Sequence, residues 1–290
     1  PAVFGRDRES SKQVWSAREG YPGDPAYRDF YRDIGMDLPE DYLHTVLPAT
    51  GHRRNTGIKY HRITGSPQKE IYNRGWAMAA ADHHAWDFMQ NRVRQIEHLR
   101  SMLPVEPIIV SPFDAELFGH WWYEGPQFLD FFLRKAAYDQ KTFRLTTPSD
   151  YLKENPTQQM VSPSPSSWGN KGYWEVWLDH CNAWIYPHLH AAARRMTEMA
   201  RKHEQTRDPL LLRTLRQLAR ELLLAQSSDW AFLMKTGTAV EYATKRTNDH
   251  VLRFTRIYES LASGTVDEGL LAACEDRDNI FPDVNWRHYL

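Results

Sequence analysis

Apolar residues are spaced differently along the two halves of this chain. Ala81, Ala85, Phe88, Met89, Val93, Ile96 and Leu99 recur at three and four, which predicts a helix over 77–102. Ile58 to Thr64 alternates and is rich in strand formers, so it reads as a strand. Pro107 to Val110 is a short apolar run, read as a buried strand. Pro126 to Tyr138 carries Phe128, Leu129, Phe132 and Leu133 on one side and opens with a proline, as helices do. Phe143 to Thr147 predicts a third strand. A helix follows over 148–154, with Thr147 as its cap.

Strand, helix, strand, helix, strand is the pattern of a parallel α/β sheet. Such sheets carry their chemistry at the carboxyl ends of the strands. A closed α/β barrel needs about eight strands, whereas only these segments read as strands. The pattern therefore predicts the last part of a barrel over 58–155.

Before it, residues 1–57 are rich in Gly, Pro, Arg and Asp and predict a loop-rich connecting region with short helical pieces. Glu19 to Asp24 and Pro48 to Gly51 are examples. After it, Val161 to Ser167 reads as a linker. From 156 to 290 strand signals cease, and helices are predicted over 174–203, 208–225, 228–234 and 238–261. Pro187 is expected to kink the first of these. The expected fold class is thus α/β plus all-α, the last strands of a barrel followed by a helical domain.

Composition narrows the function classes. Of 290 residues, 41% are hydrophobic, enough for a large core. The formal net charge of -1 gives no long-range attraction for nucleic acid or an anionic membrane. The mean hydropathy is -0.65, and no apolar run approaches the roughly 20 residues of a membrane span. No signal-peptide pattern stands at the start, and the opening Pro1 reads as mid-chain. Two cysteines, Cys181 and Cys274, lie outside any CxxC pair, so a reducing cytoplasm is the expected compartment. Aromatic residues reach 13%, with 11 Trp and 14 Tyr. Much of that is core, but rings also stack on the C–H faces of sugars.

The candidate chemistry gathers after the apolar run 108–110. Asp114 follows Ser111-Pro112-Phe113, where a strand end would present a carboxylate. The nearby rings of Phe113, Phe118, Trp121 and Trp122 favour a protonated carboxyl, the form that donates to a glycosidic oxygen. The alternative is an aspartate that caps the next turn. His120-Trp121-Trp122-Tyr123 offers stacking rings and an imidazole, or else wall packing. Adjacent residues cannot all face one cleft. Ser166 to Trp177 is a glycine-hinged loop with Trp168, Trp174 and Trp177, either a ligand platform or a hydrophobic plug. Asp229 begins a predicted helix. There it serves the helix dipole behind a Ser227 or Ser228 cap, or reaches a sugar hydroxyl.

His188-Leu-His190, with His180, and Asp82-His83-His84 lack the spacing of a zinc site, so no metal is expected. Lys12, Arg18, Arg53, Arg54, Lys59 and Arg62 read as a solvated basic face. No Walker loop, GxSxG or dinucleotide fingerprint is present, and no cofactor is expected.

The run Asp114-Ala-Glu-Leu-Phe-Gly-His-Trp-Trp-Tyr-Glu-Gly125 resembles a conserved region of glycoside hydrolase family 57, most like that of its 1,4-α-glucan branching enzymes. Ser167-Trp-Gly-Asn-Lys-Gly-Tyr173, with Trp177 and Trp184-Ile-Tyr186, is similar to a second such region. Arg6 to Trp15, Glu19 to Asp24, Tyr31 to Gly35, Thr56 to Tyr60 and Gln226 to Trp230 match as well. The resemblance implies an incomplete seven-stranded barrel with a helical C-terminal domain, and a retaining, double-displacement reaction on α-glucans such as amylose and glycogen. It implies that Asp114 is the general acid/base. Trp168, Trp177 and Asp229 would line the glucan site, with His120 and Trp121 as further substrate-binding candidates. The family's nucleophile, a glutamate in a Trp-Leu-Pro-Glu type motif, has no counterpart here. The expected partners are therefore the glucan and a missing N-terminal segment of the same enzyme, without which this chain is expected to be inactive. Family members carry an aromatic residue where this chain has Met36. An α-amylase or 4-α-glucanotransferase of the same family, or a non-catalytic glucan-binding protein, are the alternatives.

Overall fold

A computed structural model describes residues 2–45 and 53–290, so the predicted loop at Pro48 to Gly51 lies outside the described residues. The chain divides into two compact units, Pro1–Gln159 and Met160–Leu290.

The first unit is built on α1 (Arg8–Trp15), the short α2 (Ile34–Asp37) and α3 (Glu40–Leu43), the long α4 (Arg74–Met102), α5 (Gly125–Tyr138) and α6 (Pro148–Glu154). Three of these helices, α1, α4 and α6, start where a short polar side chain satisfies a free backbone N–H. Asp7 accepts from Ser10, Asn73 from Trp76 and Thr147 from Asp150. Ala77, Ala81 and Ala85 form a fully buried stripe on α4. Beyond it the rings interlock, with Phe88 and Phe132 centroids 5.0 Å apart and Trp122 and Phe128 4.9 Å apart. Val14 of α1 and Tyr27 join the same core.

The strand expectations over 58–64, 107–110 and 143–147 need correction. No β-strand forms among the described residues. Residues 107–110 and 143–147 run without a ladder, and the 58–64 segment makes only isolated bridges, Arg28 with Arg62 and His61 with Ile71. Strand propensity expresses packing on a pleated, half-buried surface and needs a partner to pair with. Residues 108–110 are only half-buried and Leu145 is 52% exposed, so that surface is absent here.

The second unit is helical, as expected: α7 (Ile185–Lys202), α8 (Pro209–Ala225), α9 (Asp229–Thr236), α10 (Val240–Ala262) and α11 (Glu268–Arg277). Met196, Met199, Leu215, Leu218, Leu222, Phe254, Ile257 and Trp286 make its core. Pro187 does not kink a helix starting at 174. Residues 174–184 are turns, and Pro187 falls in the first turn of α7, where a missing N–H costs no hydrogen bond. The helix α11 was not anticipated. Asp267 caps it, and it buries only Leu271 and Cys274, too few positions for a visible period. Among the described residues no helix is long and apolar enough to cross a membrane.

Candidate active site

Asp114 stands just before a single 3-10 turn, Ala115–Leu117, at the end of the extended 107–113 segment. Its side chain makes no capping bond to that turn, which removes the capping alternative. Instead, Oδ2 accepts a hydrogen bond from the indole Nε1 of Trp15 at 2.9 Å. Asp114 is half-buried. Glu116, the neighbouring acid, is exposed.

The aromatic run after Asp114 splits by function of its packing. Trp122 is 2% exposed and belongs to the core beside Tyr27. Trp121 is half-buried, and its indole N–H points to the Tyr31 hydroxyl at 3.4 Å. His120 is exposed, with its ring 5.1 Å from that of Phe30, and Phe30 in turn lies 5.3 Å from Tyr31. His120, Trp121, Phe30 and Tyr31 thus form one surface cluster. Gly119 makes the turn possible with a φ of 95°, a backbone conformation costly for any side chain. Tyr123 is covered by the Arg28 guanidinium, 3.7 Å above its ring. Glu124 is fully buried, bonded to the Arg28 backbone N–H at 3.1 Å, and burial pushes its carboxyl up from the ordinary range. A polar cavity of about 400 Å³ lies between the end of α1, the Glu19–Asp24 loop, and His84 and Asp87 of α4.

In the second unit, the 167–173 loop is closed by Ser167 N–H to Gly172 O at 2.8 Å and Gly172 N–H to Gly169 O at 2.9 Å. Lys171 takes a φ of 57° in the same turn. Trp168 is 46% exposed on it. Gly169 sits so close to Trp177 that an added Cβ would lie 3.0 Å from its Nε1. Trp177 packs toward Phe232 of α9, with centroids 6.3 Å apart. Two side chains clamp this arrangement. Asn182, buried, donates to Val176 O at 3.0 Å and Ala231 O at 3.2 Å. Asp179 binds Lys235 of α9 at 2.7 Å, and that ammonium holds its carboxyl down to about 2. Asp229 is exposed at the first position of α9. Ser228 takes the N-cap position without a side-chain bond, so the expected serine cap is not made.

The structure therefore joins Asp114 to Trp15, His120 and Trp121 to Phe30 and Tyr31, and the Trp168 loop to Trp177 and α9. Trp15, Phe30, Tyr31, Asp179 and Asn182 were not singled out from sequence. Trp15 ends the matched Arg6–Trp15 run, which was its one available signal.

Glu221, His250 and Asp278 offer ligand atoms within 4.8 Å of one another, all buried. Their hydrogen bonds argue for a charge network instead. Arg246 lies 2.9 Å from His250 Nε2, and a guanidinium only donates, so Nε2 must accept. Nδ1 then carries the proton and donates it to Glu221 at 2.8 Å. Arg253 occupies Asp278 at 2.7 Å.

Comparison with known proteins matches residues 188–289 to a family described as 1,4-alpha-glucan branching enzyme, C-terminal. A 1,4-alpha-glucan branching enzyme of Thermococcus kodakarensis is 36% identical over 98% of this chain and 40% of its own length. Among solved structures, a GH57-type branching enzyme of Pyrococcus horikoshii superposes with a TM-score of 0.78 at 36% identity, covering 99% of this chain and 51% of that one. An α-amylase of Thermotoga maritima gives a TM-score of 0.77 at 46% identity, covering 99% and 54%. The chain spans about half the length of these relatives. Over nearly all of its own length, then, this chain is similar to part of the branching enzymes of the GH57 type, and residues 188–289 match the family of their C-terminal part.

Proposed function

We propose that this chain forms the acid/base and glucan-holding part of a retaining 1,4-α-glucan branching enzyme. The observation that carries the reading is Asp114. It is a half-buried carboxyl free of its own turn, held by Trp15 and followed by an aromatic surface. In a retaining reaction a second carboxylate attacks C1 of an α-1,4 bond while the acid protonates the departing oxygen. The same residue then deprotonates the incoming hydroxyl. When that hydroxyl is O6 of another glucan, the product is an α-1,6 branch. The nucleophile would come from a part of the enzyme beyond this chain, and residues 58–155 would contribute to its barrel. Trp168 and Trp177 would hold the glucan, with Asp229 directed to its hydroxyls, and His120 and Trp121 would stack sugar in the first unit. Rings that shield the bound glucan from water would favour transfer over hydrolysis.

In the complete enzyme, Asp114→Asn is expected to lower the rate on amylose at least about 100-fold, the usual range for loss of a general acid. Iodine staining follows the reaction, and full activity in that variant would sink the acid role. The identity to the Thermotoga α-amylase supports a second reading, hydrolysis. The linkage of the product decides between them, because hydrolysis creates no new α-1,6 bonds.

A further inference from the structure

We infer that Trp15 is a positioning residue for Asp114: its indole N–H holds Oδ2 and thereby reserves the other oxygen for the proton that the reaction moves. The inference rests on the acid/base reading of Asp114.

Three observations carry it. The first is the bond itself, 2.9 Å between side chains 99 residues apart. An indole N–H is a donor with no acceptor capacity. A proton on Oδ2 directed at Trp15 would meet another proton, so a protonated Asp114 keeps the Trp15 bond only when its hydrogen sits on Oδ1.

The second is that Trp15 is 58% exposed. A tryptophan kept for packing buries its ring, as Trp122 does at 2%. Trp15 gives up that burial and uses its polar edge.

The third is how firmly α1 is tied to the segment that presents Asp114. Asp7 donates its backbone N–H to Val110 O at 2.8 Å, and the Ser10 and Ser111 hydroxyls are 2.6 Å apart. Glu9 binds Arg92 of α4 at 2.7 Å, and Val14 is fully buried. Trp15 closes the last turn of this anchored helix, so donor and acceptor are carried by two elements fixed to one another.

The proposed consequence is geometric. In the first half of the reaction the Oδ1–H bond breaks and its proton goes to the glycosidic oxygen. That oxygen takes the electron pair of the breaking C1–O bond while the nucleophilic carboxylate bonds to C1. In the second half Oδ1 takes the proton of the acceptor hydroxyl as the new C1–O bond forms and the carboxylate leaves. Trp15 touches neither sugar oxygen. It keeps the carboxyl from turning about its last torsion, so that Oδ1 faces the bond in both halves.

The test compares Trp15→Phe with the parent, in the complete enzyme, on two donors. One is amylose, whose leaving oxygen needs a proton. The other is an α-maltosyl fluoride, whose fluoride leaves without one. Phe keeps the ring and removes the N–H. The expected result is a fall of about tenfold in kcat/KM on amylose and of less than about twofold in kcat/KM on the fluoride, because kcat/KM reports the half that forms the glycosyl-enzyme, in which only the amylose oxygen needs a proton. The ratio of the two rates is independent of how much of the sample is folded. An equal loss on both donors, or no loss on amylose, would overturn the inference. Asp114→Asn is measured alongside. If that variant keeps its activity on amylose, the assignment of Asp114 has failed. If it loses activity while Trp15→Phe affects both donors equally, only the role of Trp15 has failed.

Discussion

Asp33 holds together a stretch of chain with few periodic apolar positions. Its Oδ1 accepts from Gly35 N–H at 2.9 Å, Thr56 N–H at 2.9 Å and the Thr56 hydroxyl at 2.8 Å. Its Oδ2 accepts from Gly57 N–H at 2.8 Å. Burial raises the carboxyl, but these donors outweigh it and hold the group down to about 2. A carboxyl titrating near about 4 in the unfolded chain then stabilises the folded one above that pH, and the contribution drains away as pH falls toward the folded value. Replacing Asp33 by Asn turns an amide donor toward these N–H groups. A loss of about 1–3 kcal/mol at neutral pH is expected, together with a flatter acid dependence between about pH 4 and 2. Urea titrations of both proteins at several pH values measure this, and parallel curves for the two would refute it. No periodicity announces such a residue, because two of its partners, Thr56 and Gly57, lie 23 and 24 positions away. Asp114 was more legible, since its neighbours in sequence are also its chemistry. Its bond to Trp15 was not.

Helices were the elements best read from sequence. A 3.6-residue period, a capping side chain and a terminating residue all act within a few positions of one another. Thr147 and Asp208 cap α6 and α8, as short polar residues before a proline should. Asp208→Ala is expected to cost about 1 kcal/mol, seen as a lower melting temperature in circular dichroism. The close pass of Gly125 against Phe118 is of another kind. A Cβ there would stand 2.8–2.9 Å from Phe118 atoms, its backbone Cα included. Gly125→Ala should therefore destabilise the start of α5 by about 1–3 kcal/mol, although alanine is the better helix former. A variant as stable as the parent would show that this contact yields easily. Strands were the elements misread. Ile108-Ile-Val110 and Phe143 to Thr147 have strand composition, but a strand exists only against a neighbour, and such a neighbour is not written into the segment itself.

At the scale of the whole molecule, the second unit is organised around a polar centre as well as an apolar one. Glu221 of α8 and His250 of α10 are both fully buried. Gln217 at 2.8 Å and Arg246 at 2.9 Å complete their hydrogen bonds. A buried ion pair or its neutral equivalent adds little stability by itself, yet removing one partner strands the other in a low dielectric. Glu221→Ala leaves the His250 N–H without an acceptor and is thus expected to lose about 1–3 kcal/mol, read as a fall in the denaturant midpoint of the helical unit. A loss below about 1 kcal/mol would mean that water replaces the carboxylate. Local sequence determined where most helices lie, which faces of them are apolar, and which aromatic and acidic runs are candidates for a site, because each of those depends on neighbours a turn or two away. Tertiary structure alone decided which donor meets Asp114, how the run from His120 to Tyr123 divides between core and surface, which buried charges pair, and that the strand-like segments build no ladder. Those outcomes depend on contacts between residues far apart in the chain, whose meeting no local pattern encodes.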